Sequence, residues 1–169
     1  EWGKKKPNQG SKMRGKGIAG VLKTTLTPSV SSATIRLNED GSATVYTATA
    51  DMGQGSDTVL AQIVSSELAL PIDQIAVLHS DTDSTLYDFT TAASRSTFHM
   101  GRALELAAQD IKRQLACIVS PIFKVNPEEC TFENQMVKHE EQFPNGLSYR
   151  EVLFKQFETK GGNLIGRGM

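Results

Sequence analysis

The chain has 169 residues, 38% apolar and 22% charged, which excludes a disordered chain and gives room for one well-cored domain but not two. Its formal net charge of −1 offers no general attraction for nucleic acid or an acidic membrane. No apolar run reaches the roughly 18 residues of a membrane span, and Cys117 and Cys130 build neither a disulfide framework nor a metal motif, so a reducing cytoplasm is expected.

Residues 1–17, EWGKKKPNQGSKMRGKG, are basic and glycine-rich and read as a linker or arm. Lys4, Lys5, Lys6, Lys12, Arg14, Lys16 and Lys23 stand against Glu1 alone in the first 23 positions, so the remainder is net acidic. Gly15-Lys16-Gly17-Ile18-Ala19-Gly20 spells a dinucleotide fingerprint, but no buried strand precedes it and no helix follows, so it is set aside. The stretch 32–50 alternates apolar and polar residues on both sides of Asn38-Glu39-Asp40-Gly41, which predicts a β-hairpin. Val59, Leu60, Ile63, Val64 and Leu68 recur at helical spacing, predicting a helix over about 56–70 that Pro71 ends.

IAVLHS (75–80) is a third strand, 81–97 a polar loop, and 97–120 a longer helix. Its stripe is Leu104, Ala108, Ile111, Leu115 and Ile118, with Cys117 on the apolar face and Pro121 as its stop. Residues 130–142 read as two short strands turning near Asn134-Gln135, and 143–146 as a turn. A helix over 148–157 opens with a Ser148/Glu151 capping box, and the tail KGGNLIGRGM is loop. The order strand, strand, helix, strand, helix predicts an α+β fold. It has a small mixed sheet, two helices on one face, a C-terminal hairpin and a short helix. The expected division is an arm (1–17), the α+β domain (18–125) and a truncated extension of that domain (126–169). Both ends read as cut.

Two places carry possible chemistry. Met52-Gly53-Gln54-Gly55-Ser56 lies between a strand and a helix, where first-turn amides and the helix dipole favour an anion. Glycine lets a ligand approach the backbone there, and Gln54 adds an amide donor and acceptor. Taken alone, the stretch is equally an ordinary sharp turn with Ser56 as N-cap. Ala92-Ala93-Ser94-Arg95-Ser96-Thr97 precedes the second helix with small residues, hydroxyls and an arginine suited to a phosphate. Together the two loops suggest a grip on one extended polyanion. Asp81, Asp83 and Asp88 lack EF-hand spacing and read as solvated carboxylates. His79, His99 and His139 form no metal pair. No catalytic residue and no metal ligand is assigned.

MGQGSDTVLAQI and TTAASRSTFHMG, each leading into a helix, resemble the molybdenum-cofactor-binding region of the molybdenum hydroxylase large subunit. That family includes xanthine dehydrogenase, aldehyde oxidase and carbon monoxide dehydrogenase. The resemblance runs over most of 14–120 and beyond that rests on element order and the closing GNLIGRG. It implies that Gly53, Gln54 and Gly55, with Ala93, Ser94, Arg95 and Ser96, cradle a molybdopterin carrying molybdenum, often as its cytosine dinucleotide. The implied activity is hydroxylation of a carbon centre with water-derived oxygen, electrons passing to iron–sulfur and flavin subunits or domains. The family's catalytic glutamate follows a glycine-rich motif that this sequence lacks. The chain is therefore expected to be a piece of a longer subunit, inactive and without cofactor alone, partnered by the rest of that subunit and prone to self-associate through exposed apolar patches. The alternatives are a non-catalytic interaction module and a free-standing phosphate- or nucleotide-binding domain.

Overall fold

The computed structural model describes residues 4, 10–13, 15–22, 29–78, 81, 83–157 and 162–169. Much of the basic arm, and His79, lie outside the described residues. The described residues 15–22 form neither strand nor helix, as the rejection of a dinucleotide fingerprint requires.

Strands β1 (Ala33–Leu37) and β2 (Ala43–Tyr46) form the expected hairpin, its turn closed by Gly41 N–H donating to Asn38 O at 2.8 Å. Alternation drives it: Ala33, Ile35 and Leu37 are fully buried while Thr34 and Arg36 are half-buried on the other face. Helix α1 (Ser56–Leu68) buries Leu60, Val64 and Leu68, then ends as Ala69 turns left-handed at φ 49°. The crossover it makes brings β3 (Ile75–Leu78) in parallel to β2, so the sheet is mixed as predicted.

A π-helical turn over Ser96–Met100 leads without a break into α2 (Gly101–Phe123). Leu104, Ala108, Ile111 and Leu115 face the core, and α1 and α2 pack on each other and on the same sheet. Two expectations for this helix fail. Pro121 lies inside it, because a proline there forfeits a single backbone bond close to an end that burial of Phe123 still favours. Cys117 is exposed, since the true stripe runs through Leu115, Ala116 and Val119 and turns residue 117 outward.

Strands β4 (Thr131–Glu133) and β5 (Met136–His139) turn through Asn134 and Gln135, both left-handed, as expected. Residues 143–146 are not a turn: they begin β6 (Phe143–Ser148), which pairs with β5 and makes a three-stranded sheet instead of a hairpin. Phe143 supplies the reason, stacking on Phe123 at 4.3 Å between ring centroids. Helix α3 (Tyr149–Phe157) has the predicted capping box, Glu151 N–H donating to Ser148 Oγ at 3.2 Å and Ser148 N–H to Glu151 Oε2 at 2.8 Å. Buried Tyr149 donates its hydroxyl to Leu68 O at 2.7 Å, tying this subassembly to the C-terminal end of α1.

The tail is also not loop. Strand β7 (Leu164–Gly168) pairs antiparallel with β1 and completes the order β3-β2-β1-β7. It lies against the α2 backbone so closely that a Cβ at Gly168 would sit 1.9 Å from Ala103 O, and one at Gly166 2.1 Å from Ala107 O. Here glycine is required by close approach.

Candidate functional site

The first loop, 50–57, holds itself together. Gly53 and Gly55 take φ 95° and 79°, values glycine alone adopts without strain. Gln54 folds back over the turn: its Oε1 accepts from Met52 N–H at 2.5 Å, and its Nε2 donates to Ala50 O and to Ser56 Oγ, both at 3.0 Å. Asp51 accepts from Gly53 N–H at 2.7 Å through Oδ1 and from Asp57 N–H at 3.4 Å through Oδ2. These backbone donors, Gly53 foremost, hold its carboxyl below the usual carboxylate range. Several amides that the sequence pattern offered to an anion are thus engaged within the loop. What the loop presents outward is surface. A Cβ at either glycine would meet nothing within 4 Å among the described residues, so the backbone faces open space there.

The second loop, 88–97, is built around a buried ion pair that the sequence did not reveal. Asp88, expected in solvent, and Arg95, expected on a phosphate, have side chains 1% exposed each and meet at 2.6 Å, Nη1 to Oδ1. The Arg95 guanidinium also donates to Ser29 Oγ and Ser31 Oγ at 2.9 Å, to Val30 O at 3.3 Å and to Thr90 O at 3.4 Å. Asp88 accepts in addition from Ser31 Oγ at 2.6 Å, Phe89 N–H at 2.9 Å and Thr49 Oγ1 at 3.0 Å. Burial pushes its carboxyl upward, but the hydrogen bonds from Ser31, Arg95 and Thr49 and the Arg95 charge outweigh it, and the group stays below its ordinary value. Ala93 and Ser94, just before Arg95, are both left-handed, at φ 54° and 60°.

The two loops touch. Ala50 O, already accepting from Gln54, also accepts from Thr91 Oγ1 at 3.1 Å. One carbonyl therefore joins the glycine turn to the segment that leads into Ala93–Ser96. Ser96 then opens the helical run with its Oγ buried and without a hydrogen-bond partner among the described residues, an orphaned donor at the position where first-turn amides collect. The π turn that starts here was not legible, because nothing in STFHM distinguishes i→i+5 from i→i+4 bonding. Next to this loop lies a largely apolar groove of about 890 Å³, lined in part by Val30, Ser94, Phe98, His99 and Met169. Among the described residues no cluster of His, Cys, Asp or Glu is placed to hold a metal, and no helix is long and apolar enough to cross a membrane.

Residues 2–169 match the family model described as the molybdopterin cofactor-binding domain. The probable hypoxanthine oxidase XdhD of Escherichia coli K12 is 32% identical over 117 residues, 68% of this chain and 12% of that protein. The carbon monoxide dehydrogenase large chain of Afipia carboxidovorans is 37% identical over 95 residues, 56% of this chain and 12% of that one. Among solved structures, the Cu,Mo-CO dehydrogenase in its carbon-monoxide-reduced state superimposes with a TM-score of 0.74 at 26% identity. That match covers 82% of this chain and 18% of the other. The chain thus spans about an eighth of the length of these curated relatives.

Proposed function

Given that this chain belongs to the molybdopterin cofactor-binding domain family, we propose that its two loops form adjoining walls of one molybdopterin site. Gly53, Gln54 and Gly55 make the first wall, and Ala93, Ser94, Arg95 and Ser96 the second. The shared Ala50 carbonyl carries this reading, because it makes two separate strand-to-helix turns a single surface. The residues present fit such a group. The open faces of Gly53 and Gly55 admit a flat, polar ligand against the backbone, and the buried Ser96 hydroxyl has a donor to give.

When bound, the cofactor supplies a molybdenum centre with two-electron chemistry, used in the longer subunit to hydroxylate a carbon centre. Gln54 Oε1 keeps a second lone pair for a ligand donor while its amide group fixes the turn. Ser96 Oγ, buried without a partner among the described residues, would supply the second wall's hydroxyl donor. Arg95 shapes that wall from behind, its guanidinium being consumed by Asp88 and the 29–31 segment. The activating carboxylate is assigned to another part of the subunit, and Asp51 and Asp88 both serve as internal acceptors within these loops. The electron acceptors are iron–sulfur and flavin partners, and further segments of the subunit cover apolar side chains such as Ile18, Val21 and Leu22, which are 79%, 93% and 97% exposed.

Gln54→Ala combined with Ser96→Ala, placed in the full-length subunit, tests the reading. Molybdenum per folded protein, measured by elemental mass spectrometry, is expected to fall at least tenfold with the thermal transition little changed. Undiminished molybdenum would overturn it.

A further inference from the structure

We propose that the Asp88–Arg95 pair is a positioning device that sets the geometry of the first loop as well as the second, so that the glycine turn is held partly from 40 residues downstream. Asp88 receives three chain segments at once. Oδ1 takes Ser31 Oγ from the segment ahead of β1 and Arg95 Nη1 from the start of the helical run. Oδ2 takes Thr49 Oγ1, one residue before Ala50. Ala50 O in turn is the acceptor of both Gln54 Nε2 and Thr91 Oγ1. A continuous chain therefore runs from Arg95 through Asp88 to Thr49, and from Ala50 to Gln54, whose Oε1 fixes Met52 N–H.

Buried charge gives this chain its stiffness. Thr49 is 1% exposed and Arg95 2%, so no water stands ready to replace a lost partner. The forked guanidinium engages Asp88 and Ser31 with different nitrogens, which fixes direction as well as distance. Removing it leaves Asp88 free to rotate on its remaining partners, and the tether on Thr49 loosens with it. The side chains of Arg95 and Asp88 are thus positioning groups, buried behind a wall to which Arg95 contributes only backbone. This inference rests on the two-wall reading only for its consequence in cofactor retention; the coupling between the loops stands on the hydrogen bonds alone.

Hydrogen exchange in the full-length subunit separates the two. In Arg95→Ala and in Asp88→Ala the amides of Met52, Gly53 and Asp57, which are bonded inside the first loop, should exchange at least tenfold faster than in the parent. Amides in the centre of α2 report global stability and should accelerate only as far as its loss requires, equally in a control of matched melting temperature. A core truncation that lowers the melting temperature equally, Leu115→Ala, serves as control and should leave the first-loop amides unchanged; a merely structural role for the pair predicts the same pattern in all three variants. Unaltered first-loop exchange in both ion-pair variants, or equal acceleration in the control, would overturn the coupling. Accelerated exchange with undiminished molybdenum would keep the coupling and defeat the two-wall reading instead.

Discussion

Ahead of α1 the backbone turns through Gly53 and Gly55, at φ 95° and 79°, whereas ahead of the second helical run it turns through Ala93 and Ser94, at φ 54° and 60°. The first turn is local: glycine adopts it freely, and Asp51 and Gln54 lock it from within. The second is imposed, since an L-residue in the left-handed region costs about 1–2 kcal/mol and nothing in the tetrapeptide repays that. Arg95, the next residue, does so through contacts to positions 29–31 and 88–90. Two loops on one surface thus differ in where their shape is encoded, one chiefly in its own residues with a tether through Thr49 to Asp88, and one in the tertiary structure.

Breaking the second loop should have the largest effect. Arg95→Ala leaves the Asp88 carboxylate buried and short of its charge partner, a situation that costs about 3–5 kcal/mol. Urea titration should show a loss of unfolding free energy of that size, as a lower midpoint with no change in slope for α1 and α2 probes. Next come the turn residues themselves, where the two loops should respond with opposite sign. Gly55→Ala forces a Cβ into the left-handed region and should destabilise by about 1 kcal/mol or more, although the added carbon meets nothing. Ser94→Gly relieves the same strain and should be neutral or stabilising by up to about 1 kcal/mol. A loss in Ser94→Gly would mean that the second loop is not strained.

Acid separates the loops in a third way. Asp88 is held below the ordinary carboxylate value, so its contribution is fully present above an unfolded pKa of about 3.9. It is lost as pH falls through the lower folded value. Stability measured from pH 6 down to pH 2 should fall more steeply in the parent than in Asp88→Asn, and the two profiles should converge only at the acid end. Asp51 is shifted in the same direction but lies in solvent-exposed surroundings, so Asp51→Asn should change the profile far less.

The same division explains what could be read from sequence. Alternation in 33–46, the 3–4 spacing in 59–68 and the Ser148/Glu151 pair are local signals, and the hairpin, α1 and the start of α3 follow them. The Gly53-Gln54-Gly55 turn was legible for the same reason. Strand β7 was not, because Gly166 and Gly168 look like loop residues until α2 is in place against them. Phe143 and Pro144 read as a turn because Phe143's partner, Phe123, lies 20 positions away in another element. Arg95 was visible as a residue, but its role depends on Asp88 in a polar stretch and on Ser29 to Ser31 more than 60 positions upstream. No periodicity links those positions.

The smallest expected change in stability belongs to Gln54, which sharpens the contrast most. Its three hydrogen bonds sit on an exposed loop, so Gln54→Ala exchanges them for water and should lower the unfolding free energy by no more than about 0.5 kcal/mol. Ala50 O is not orphaned by the change, since Thr91 Oγ1 still donates to it. Thr91→Val should be similarly mild alone, because Gln54 Nε2 then remains. The double variant removes both donors from one carbonyl and disconnects the loops at their meeting point. Its cost in stability should exceed the sum of the singles, with a coupling energy of about 0.5 kcal/mol or more from the double-mutant cycle. Strict additivity would mean that the two loops lie side by side without acting on each other through Ala50.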